Sequence, residues 1–295
     1  INISQFVAYS LRPLDSLLFR RWCQHTERYF TLVLIHLTQW LAPTTLVLTH
    51  DTSIPATGPD ALPPCAVLDG TVARLNLAPR AIVIANHQVY MDWIYLWFVA
   101  YYAGCHGYVK IILKDSLRSI PIFGWGMQFF RFIFLRRNWE ADRRSFTEQI
   151  RETAQDALPY WLTLFPEGTT ISQKALNKSS AFGIAQGYAA TQHVLLPRST
   201  GLFHVCQGLR ESSDYLYDIT MGCEGLRADQ VPQETYTIPR MFLERFYPRL
   251  IHIHVRRVPM GDVPTESEAF AQWLQQRWYE KDRLMAYFYR CGHFP

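Results

Sequence analysis

The spacing of apolar and polar positions along this chain changes repeatedly from residue 80 onward. Short runs rich in β-branched residues, typical of buried strands, alternate with longer segments in which apolar residues recur every three or four positions, as on one face of a helix. The pattern predicts strands at residues 81–85, 108–113, 132–135, 161–165, 194–196, 215–221 and 250–255, and helices at 91–103, 139–158, 179–188 and 266–287. Such alternation predicts an α/β fold with a mixed sheet covered by helices.

Residues 5–42 predict two further helices, separated near residues 22–24. Leucines recur at helical spacing in the first helix with arginines beside them, and the second helix is largely apolar. This basic amphipathic character favours two membrane-associating helices, although packing against the rest of the chain would explain it equally well. The apolar stretch at residues 29–42 is shorter than the roughly 20 residues that a transmembrane helix requires.

A segment at residues 52–80 that contains five prolines predicts the boundary between two parts of the chain. A short strand is expected before it, at residues 46–48. We assign residues 1–60 to an N-terminal helical membrane-associating segment with its linker, and residues 61–295 to the main domain. Because the chain begins at Ile1 without a leader-like segment, we expect it to be a fragment of a longer protein.

Composition limits the partners and the compartment. The net charge is +4, from 29 basic and 25 acidic residues, and without a basic stripe it does not favour nucleic-acid binding. Six cysteines are scattered without a Cys-x-x-Cys pair, which disfavours both zinc binding and a disulfide scaffold and favours free thiols in a reducing compartment. His252 and His254 would share one face of a strand, but no third ligand is apparent. We interpret them as polar residues on a solvated face rather than as a metal site.

The strongest candidate for chemistry is a pair of residues, His87 and Asp92, between the strand at 81–85 and the next helix. On a regular helix, side chains five positions apart point about 140° away from each other, so the two can meet only if His87 lies in a turn before the helix. Asp92 in the first helical turn would hold one imidazole nitrogen while the other accepts a proton, as a general base requires. On spacing alone, a helix-capping residue and a surface polar group are the commoner explanation.

A second polar segment, residues 165–169, follows another predicted strand and should emerge beside His87. Glu167 and Thr169 offer hydrogen bonds, and Gly168 between them permits close approach of the backbone to a ligand. Taken alone, such a segment would be an ordinary turn.

Three cations, Lys114, Arg137 and Arg198, lie at or just beyond predicted strand ends. The two guanidinium groups could bind phosphate oxygens through forked donors, and the lysine could act as a point charge. Any one of them alone is more often a solvated surface charge.

Four segments of the chain resemble the motif blocks of the glycerophospholipid acyltransferase superfamily, which includes the 1-acylglycerol-3-phosphate acyltransferases. In chain order they read Asn86-His87-x4-Asp92, Phe134-Leu135-Arg136-Arg137, Leu164-Phe165-Pro166-Glu167-Gly168-Thr169 and Val194-Leu195-Leu196-Pro197-Arg198-Ser199-Thr200-Gly201. Smaller likenesses, such as Lys114-Asp115-Ser116-Leu117, are most similar to the branch that acylates lysocardiolipin and lysophosphatidylinositol.

The resemblance implies an acyl-CoA-dependent lysophospholipid O-acyltransferase, which re-acylates a free glycerol hydroxyl during phospholipid remodelling at the endoplasmic reticulum membrane. Acyl-CoA and a lysophospholipid would be its substrates and the bilayer its partner, with no metal and no separate cofactor. Residues 61–295 would then be the acyltransferase domain.

The resemblance also implies roles for individual residues. His87 would be the general base and Asp92 its orienting partner, while Glu167, Gly168 and Thr169 would bind the glycerol and phosphate region of the lysophospholipid. The candidates for phosphate binding are Arg137, which fits best, Lys114 and Arg198.

The chain departs from the family pattern at two positions. Thr170 stands where the third block usually continues with arginine, which should shift one phosphate contact onto Arg137. Arg131 stands where the second block usually begins with glycine, and we expect this change to affect local packing.

Three alternatives stay open. A 1-acylglycerol-3-phosphate acyltransferase that makes phosphatidic acid would differ only in its headgroup. A lipid hydrolase would need a serine nucleophile beside His87, and the chain lacks the Gly-x-Ser-x-Gly motif of that class. A non-catalytic membrane-binding module would leave the spacing of His87 and Asp92 unexplained.

Overall fold

The structure is a computed structural model that describes residues 1–55, 57–58, 61–69, 74–136 and 138–295. Its strands are β1 Thr45–His50, β2 Cys65–Leu68, β3 Arg80–Ala85, β4 Val109–Lys114, β5 Ile133–Leu135, β6 Tyr160–Leu164, β7 Tyr215–Cys223 and β8 Leu250–Pro259. Its helices are α1 Asn2–Ser10, α2 Ser16–Leu41, α3 Asp92–Tyr102, α4 Phe123–Phe129, α5 Trp139–Gln155, α6 Gln173–Gln186, α7 Ser199–Leu209, α8 Pro232–Thr235, α9 Ile238–Phe242 and α10 Ser267–Cys291.

Within the described residues, the strands form one eight-stranded sheet in the order β2-β1-β8-β7-β3-β6-β4-β5. The central strand β3 runs parallel to both of its neighbours, β6 and β7, and β4 and β5 continue the parallel arrangement. Strand β8 is antiparallel to β7 and parallel to β1. The predicted α/β class with a mixed sheet is confirmed. The carboxyl ends of β3 to β7 therefore meet at one edge of the sheet.

Burial on both faces explains the continuous apolar sequence of β3. Ala81, Val83 and Ala85 belong to a core formed with α2 and α3, whereas Ile82 and Ile84 belong to a core formed with α5, α7 and α10. All five side chains are fully buried. The strand that leads to His87 is therefore held between two apolar layers.

Two helices precede the sheet, as predicted, but the break between them lies elsewhere. Helix α1 ends at Ser10, and α2 passes without interruption through the predicted break at residues 22–24. The start of α2 is determined by Asp15, whose Oδ1 accepts 2.9 Å hydrogen bonds from two backbone N–H groups in the first turn.

The N-terminal helices and the turn between them present a large apolar surface. Ile3 and Leu14 are 83% and 84% exposed, and Trp40 is 67% exposed. The other side of α2 packs on α3, where the ring centroids of Phe30 and Trp97 lie 5.4 Å apart. None of the helices that the structure describes combines the length and the apolar character of a membrane-crossing segment.

Strand β1 lies before the predicted domain boundary and pairs with β2 and β8. The division into residues 1–60 and 61–295 stays a prediction. The described residues include all six cysteines, and each is a free thiol, as predicted.

The predicted strand at residues 194–196 is wrong. These residues form a connection between α6 and α7, and its backbone bonds to side chains instead of to a neighbouring strand. The N–H of Leu196 donates to Ser179 Oγ at 2.8 Å, and the carbonyl of Val194 accepts from Thr191 Oγ1 at 2.6 Å. The segment is as buried as a strand would be, so burial rather than pairing explains its apolar sequence.

The interpretation of His252 and His254 as residues on a solvated face is also wrong. Both are buried beneath the C-terminal segment, where the ring of Phe288 lies 5.3 Å from His252 and that of Phe294 lies 5.7 Å from His254. Burial lowers the pKa of His254 to about 4, and its Nδ1 shares a 2.9 Å hydrogen bond with Thr49. The two histidines are part of the packing between the sheet and the end of α10.

Arg131 has a backbone conformation that explains why glycine is usual at this position of the family pattern. Its φ is +60°, in the left-handed region, which costs a residue with a Cβ atom free energy. Its guanidinium pairs with Asp156 at 2.7 Å and with Glu152 at 2.9 Å. Arginine at this position therefore introduces backbone strain and also forms two ion pairs. The expectation from the sequence was an effect on local packing alone.

We predict that Arg131→Gly is more stable than Arg131→Ala by roughly 1 kcal/mol, because both lose the ion pairs and only alanine retains the strained φ. Denaturant unfolding of the two variants gives the difference. The same pair of substitutions at Arg151, on the exposed face of α5, is the control and should reverse the order, because alanine is favoured over glycine inside a helix. Equal stability of the two Arg131 variants would contradict the strain.

Candidate active site

His87 lies in the turn between β3 and α3, two residues beyond the carboxyl end of the central strand. Asp92 is the first residue of α3, as predicted. The neighbouring side chain of Asn86 is fully buried and holds the turn to β7, because it donates to the carbonyl of Met221 at 2.9 Å and accepts from its N–H at 2.8 Å. The turn is therefore fixed to a second strand of the sheet.

His87 and Asp92 form the predicted pair. The Nδ1 atom of His87 lies 2.9 Å from Oδ2 of Asp92, and the same oxygen accepts from the N–H groups of Gln88 at 2.6 Å and Val89 at 2.9 Å. Burial raises the pKa of Asp92, and the hydrogen bond and charge of His87, with these two N–H groups, oppose that rise. Asp92 is only 1% exposed, which excludes the alternative of a surface polar group.

The imidazole of His87 presents its second nitrogen for chemistry. An acceptor at Nδ1 places the proton on that nitrogen and leaves Nε2 unprotonated. The Nε2 atom has no hydrogen-bond partner among the residues that the structure describes, and the His87 side chain is 17% exposed. The ring of Phe165 stacks on the imidazole with centroids 4.2 Å apart, which holds its plane. This arrangement has the parts of a general base.

Residues 165–169 follow β6, the parallel neighbour of β3, and lie beside His87 as predicted. Gly168 has a φ of +75° and, like Thr169, is exposed. The Glu167 side chain instead turns inward, is 5% exposed, and accepts a 3.3 Å hydrogen bond from the indole of Trp278. The N–H groups of Leu195 and His87 only partly offset burial, which raises the pKa of Glu167 to about 8.

The predicted cations occupy different places. Arg198 is exposed at the start of α7, its N–H donates to the carbonyl of Pro166 at 2.8 Å, and its guanidinium lies 3.9 Å from the ring centroid of Phe182. Lys114 is exposed at the carboxyl end of β4, with β6 between it and β3. Arg137 lies outside the described residues. Arg198 is thus held next to the third block, and Lys114 lies at the same edge of the sheet.

Thr170, which replaces the usual arginine, is buried and 7% exposed. The N–H of the next residue, Ile171, donates to the carbonyl of His87 at 2.9 Å. The backbone after the third block therefore supports the turn that carries His87.

Helix α10 contributes contacts that the sequence did not reveal. Its residue Trp278 binds Glu167, Asp282 accepts 3.0 Å and 2.7 Å hydrogen bonds from the N–H groups of Gln192 and His193, and the thioether of Met285 lies 3.9 Å from the amide of Asn86. One helix thus contacts the turn that carries His87, the third motif block and the connection that precedes α7.

A buried ion pair fastens α10 to β7. The ammonium of Lys281 donates to Asp218 Oδ1 and to the carbonyl of Ile219, each at 2.6 Å, and to Thr220 Oγ1 at 3.1 Å. Lys281 is 1% exposed. The sequence carried one signal for this role, because Lys281 interrupts the apolar stripe that runs through Leu274 and Trp278.

A cavity of about 180 Å³ adjoins the turn on the side of Gln88. The amide of Gln88 donates to the carbonyl of His193, one of the wall residues, at 3.0 Å. The wall is rich in amide groups and, within the described part of the chain, contains no lysine or arginine; it comprises Ile171, Gln173, Leu176, Gln192, His193, Ala228, Asp229, Gln230, Val231, Pro232 and Tyr289.

Known proteins are similar to this chain over most of its length. Residues 56–224 match the protein family described as Acyltransferase, and residues 241–295 match the family described as Acyltransferase C-terminus. An uncharacterised acyltransferase of Schizosaccharomyces pombe is 36% identical over all of this chain and 82% of its own length.

Several relatives have names that state a substrate, and these include the lysophosphatidylinositol and lysocardiolipin classes. The 2-acyl-1-lysophosphatidylinositol acyltransferase of Saccharomyces cerevisiae is 34% identical over 91% of this chain and 75% of its own length. Lysocardiolipin acyltransferase 1 of Gallus gallus is 36% identical over 72% of this chain and 55% of its own length. The matched families, these relatives and the His87–Asp92 pair agree with the resemblance of the four motif blocks. The chain belongs to the glycerophospholipid acyltransferase superfamily and is an acyltransferase enzyme.

Proposed function

We propose that this enzyme transfers an acyl group from acyl-CoA to a free glycerol hydroxyl of a lysophospholipid of the lysophosphatidylinositol or lysocardiolipin type. The observation that carries the proposal is the His87 imidazole, which is bonded to buried Asp92 through Nδ1 and presents Nε2 at the carboxyl edge of the sheet. The names of the yeast and chicken relatives support the substrate class.

In the proposed reaction, Nε2 of His87 takes the proton from the hydroxyl as its oxygen attacks the thioester carbonyl carbon. Asp92 stabilises the imidazolium that forms. When the tetrahedral intermediate collapses, the carbon–sulfur bond breaks and the sulfur leaves as coenzyme A, which takes the proton from His87. The products are the re-acylated phospholipid and free coenzyme A, and no acyl-enzyme is needed.

The exposed cations support binding of the lysophospholipid phosphate. Arg198 is bonded through its N–H to Pro166, in the same block as the exposed residues Gly168 and Thr169, and a guanidinium group binds phosphate oxygens through two parallel hydrogen bonds. Lys114 at the same edge adds a positive charge. The assignment of Arg137 as principal phosphate ligand stays a prediction from the resemblance.

The amide-rich cavity beside Gln88 supports a headgroup that carries hydroxyl groups. Amide side chains both donate to and accept from hydroxyls, and the described wall residues provide no cation for a second phosphate. Within the proposed substrate class, the cavity therefore favours lysophosphatidylinositol over lysocardiolipin, which carries two phosphates. The lysophosphatidate of the alternative 1-acylglycerol-3-phosphate reaction has no headgroup beyond its phosphate, so it would leave this cavity unused.

The exposed apolar surface of α1 and α2 supports docking on a bilayer, from which the lysophospholipid would reach the site. The arginines beside this surface favour anionic lipid headgroups. We place the enzyme at the endoplasmic reticulum membrane, as the resemblance implies. The hydrolase alternative lacks support, because no Ser, Thr or Cys side chain in the described part of the chain hydrogen-bonds to His87.

We predict that His87→Ala lowers the transfer rate by about 10²- to 10⁴-fold, because the variant lacks the general base. Release of coenzyme A in the presence of lysophosphatidylinositol measures the rate, and circular dichroism checks the fold. His36→Ala, on an exposed position of α2, is the control and should transfer at the wild-type rate. A folded His87→Ala enzyme with near-normal turnover would remove His87 from the mechanism.

We predict that Gln192→Leu raises the KM for lysophosphatidylinositol about fivefold, the effect of one neutral hydrogen bond, and leaves the KM for lysophosphatidate unchanged. Gln192 is exposed in the wall of the cavity, and only its backbone is bonded to Asp282. Steady-state kinetics with each acceptor varied in turn gives the comparison. An equal change for both acceptors would contradict a headgroup role for the cavity.

The burial of Glu167 indicates that it supports the site from beneath, whereas Gly168 and Thr169 face the substrate. Its pKa in the folded protein is about 8, above the ordinary value of 4.5, so the folded state keeps a proton that the unfolded state loses. The contribution of this proton to the free energy of unfolding is fully present below about pH 4.5. It falls as the pH rises above that value and is lost once the pH has passed through 8.

We therefore predict that Glu167→Gln becomes more stable relative to the wild type as the pH rises from 5 to 8, by on the order of 4 kcal/mol. Glutamine keeps the acceptor for Trp278 and does not ionise. Denaturant unfolding at each pH measures the difference, with Glu268→Gln on the exposed face of α10 as control. A difference that does not change with pH would show that Glu167 is ionised in the folded protein.

A further inference from the structure

A second cavity lies away from His87, at the opposite edge of the sheet. It has a volume of about 590 Å³ and is enclosed by α1, α2 and α4 and by the segments that precede β4, β5 and β6. Its size is within the range of about 300 to 1,000 Å³ typical of small-molecule sites. The amino ends of β4 and β6 form its floor, whereas the carboxyl ends of the same strands point toward the candidate active site.

An ammonium group lies on the floor of this cavity without a bonded partner. Lys110, in β4, is 9% exposed, and among the described residues its ammonium has no hydrogen-bond partner and no carboxylate oxygen within 4.0 Å. The other basic side chains of the floor are engaged, because Arg20 pairs with Asp156 at 3.3 Å and Arg131 pairs with Asp156 and Glu152.

Glu27 is the acidic side chain whose charge acts most strongly on Lys110, and it is also buried. It is 3% exposed, lines the same cavity, and its Oε1 has no hydrogen-bond partner among the described residues. Burial raises the pKa of Glu27 well above its ordinary value and lowers that of Lys110 to about 8. The raised pKa of Glu27 favours its uncharged carboxylic acid form, in which it does not neutralise the Lys110 ammonium.

The walls of the cavity are aromatic and continue into the exposed apolar surface. The ring of Phe129 lies 5.0 Å from Phe6, 6.3 Å from Tyr9 and 6.3 Å from Phe19. Phe6, Tyr9 and Trp125 are about half exposed, at 51%, 50% and 45%. A ligand with its charged end on the floor would pass these rings and leave over apolar residues.

We propose that this cavity is a second ligand site, distinct from the His87 site, that binds a single-chain anionic amphiphile with its head on Lys110. The head pairs with the ammonium and lies beside Glu27, whose raised pKa favours the protonated form that can donate a hydrogen bond to it. The chain packs between Phe6, Phe19 and Phe129 and continues over the apolar surface of α1. A buried charge without a partner is unfavourable, so the anion supplies what the protein leaves unsatisfied.

The head can be a carboxylate, as in a fatty acid, or a phosphate monoester, since Lys110 can pair with either. Binding of oleate and of dodecyl phosphate, each used below its critical micelle concentration, distinguishes a carboxylate head from a phosphate head. Uncharged oleyl alcohol tests whether binding needs the negative charge. Equilibrium dialysis of labelled ligand against the purified chain measures affinity and stoichiometry. We expect one saturable site for one or both anions and at least about tenfold weaker binding of the alcohol.

Lys110→Met should weaken binding of the preferred anion by at least about tenfold, while its unliganded melting temperature stays at or above that of the wild type because an unpaired buried charge is removed. Lys174→Met, on the exposed surface of α6, is the matched control and should bind normally. His87→Ala should also bind normally, which separates this site from the active site.

Tyr9→Glu provides a second test if Lys110→Met does not fold. Tyr9 is half exposed at the mouth, so the substitution is compatible with folding, and the added negative charge should weaken binding of the anion but not of the alcohol. Saturable binding that is unchanged in both Lys110→Met and Tyr9→Glu, or binding lost in His87→Ala, would overturn the proposal. Non-saturable uptake of the alcohol and the anions alike would overturn it too.

Discussion

Three hydrogen-bond donors converge on one buried oxygen of Asp92, and the turn that carries His87 depends on this convergence. Two of the donors are backbone N–H groups of the turn and the third is the imidazole, so the same atom closes the turn and sets the tautomer of His87. The carboxylate opens helix α3, where the helix dipole favours negative charge. Loss of this side chain would release both the turn and the ring.

The position of β3 at the centre of the parallel part of the sheet places the other components around this turn. Its neighbour β6 delivers Phe165 to the face of the imidazole, and its neighbour β7 receives the amide of Asn86. Helix α10 then supports the arrangement from behind through Trp278 and the buried Lys281–Asp218 pair. A buried pair of this kind is costly to break, because removal of either partner leaves an uncompensated charge. The C-terminal helix is therefore part of the support for the active site.

The N-terminal helices have two different surfaces. One side of α2 packs on α3 and encloses the cavity that contains Lys110 and Glu27. The other surface exposes Ile3 of α1, Leu14 of the turn and Trp40 of α2. The first surface joins these helices to the sheet, and the second supports a bilayer as their environment. Packing accounts for one surface of these helices, and the proposed membrane association concerns the other.

The sequence by itself predicted the parts of this protein that local spacing controls. The β-branched run of β3, the turn at His87 and the start of α3 at Asp92 follow from short-range periodicity and were confirmed. Even the start of α2 had a local signal, because Asp15 is a favoured capping residue. The tertiary structure decided which segments come together across long sequence separations. Residues 194–196 pack without pairing, Glu167 turns inward to Trp278, and Lys110 and Glu27 line one cavity beneath α2. Burial and charge compensation depend on which surfaces come together, and periodicity along one segment carries no information about the segment that will cover it.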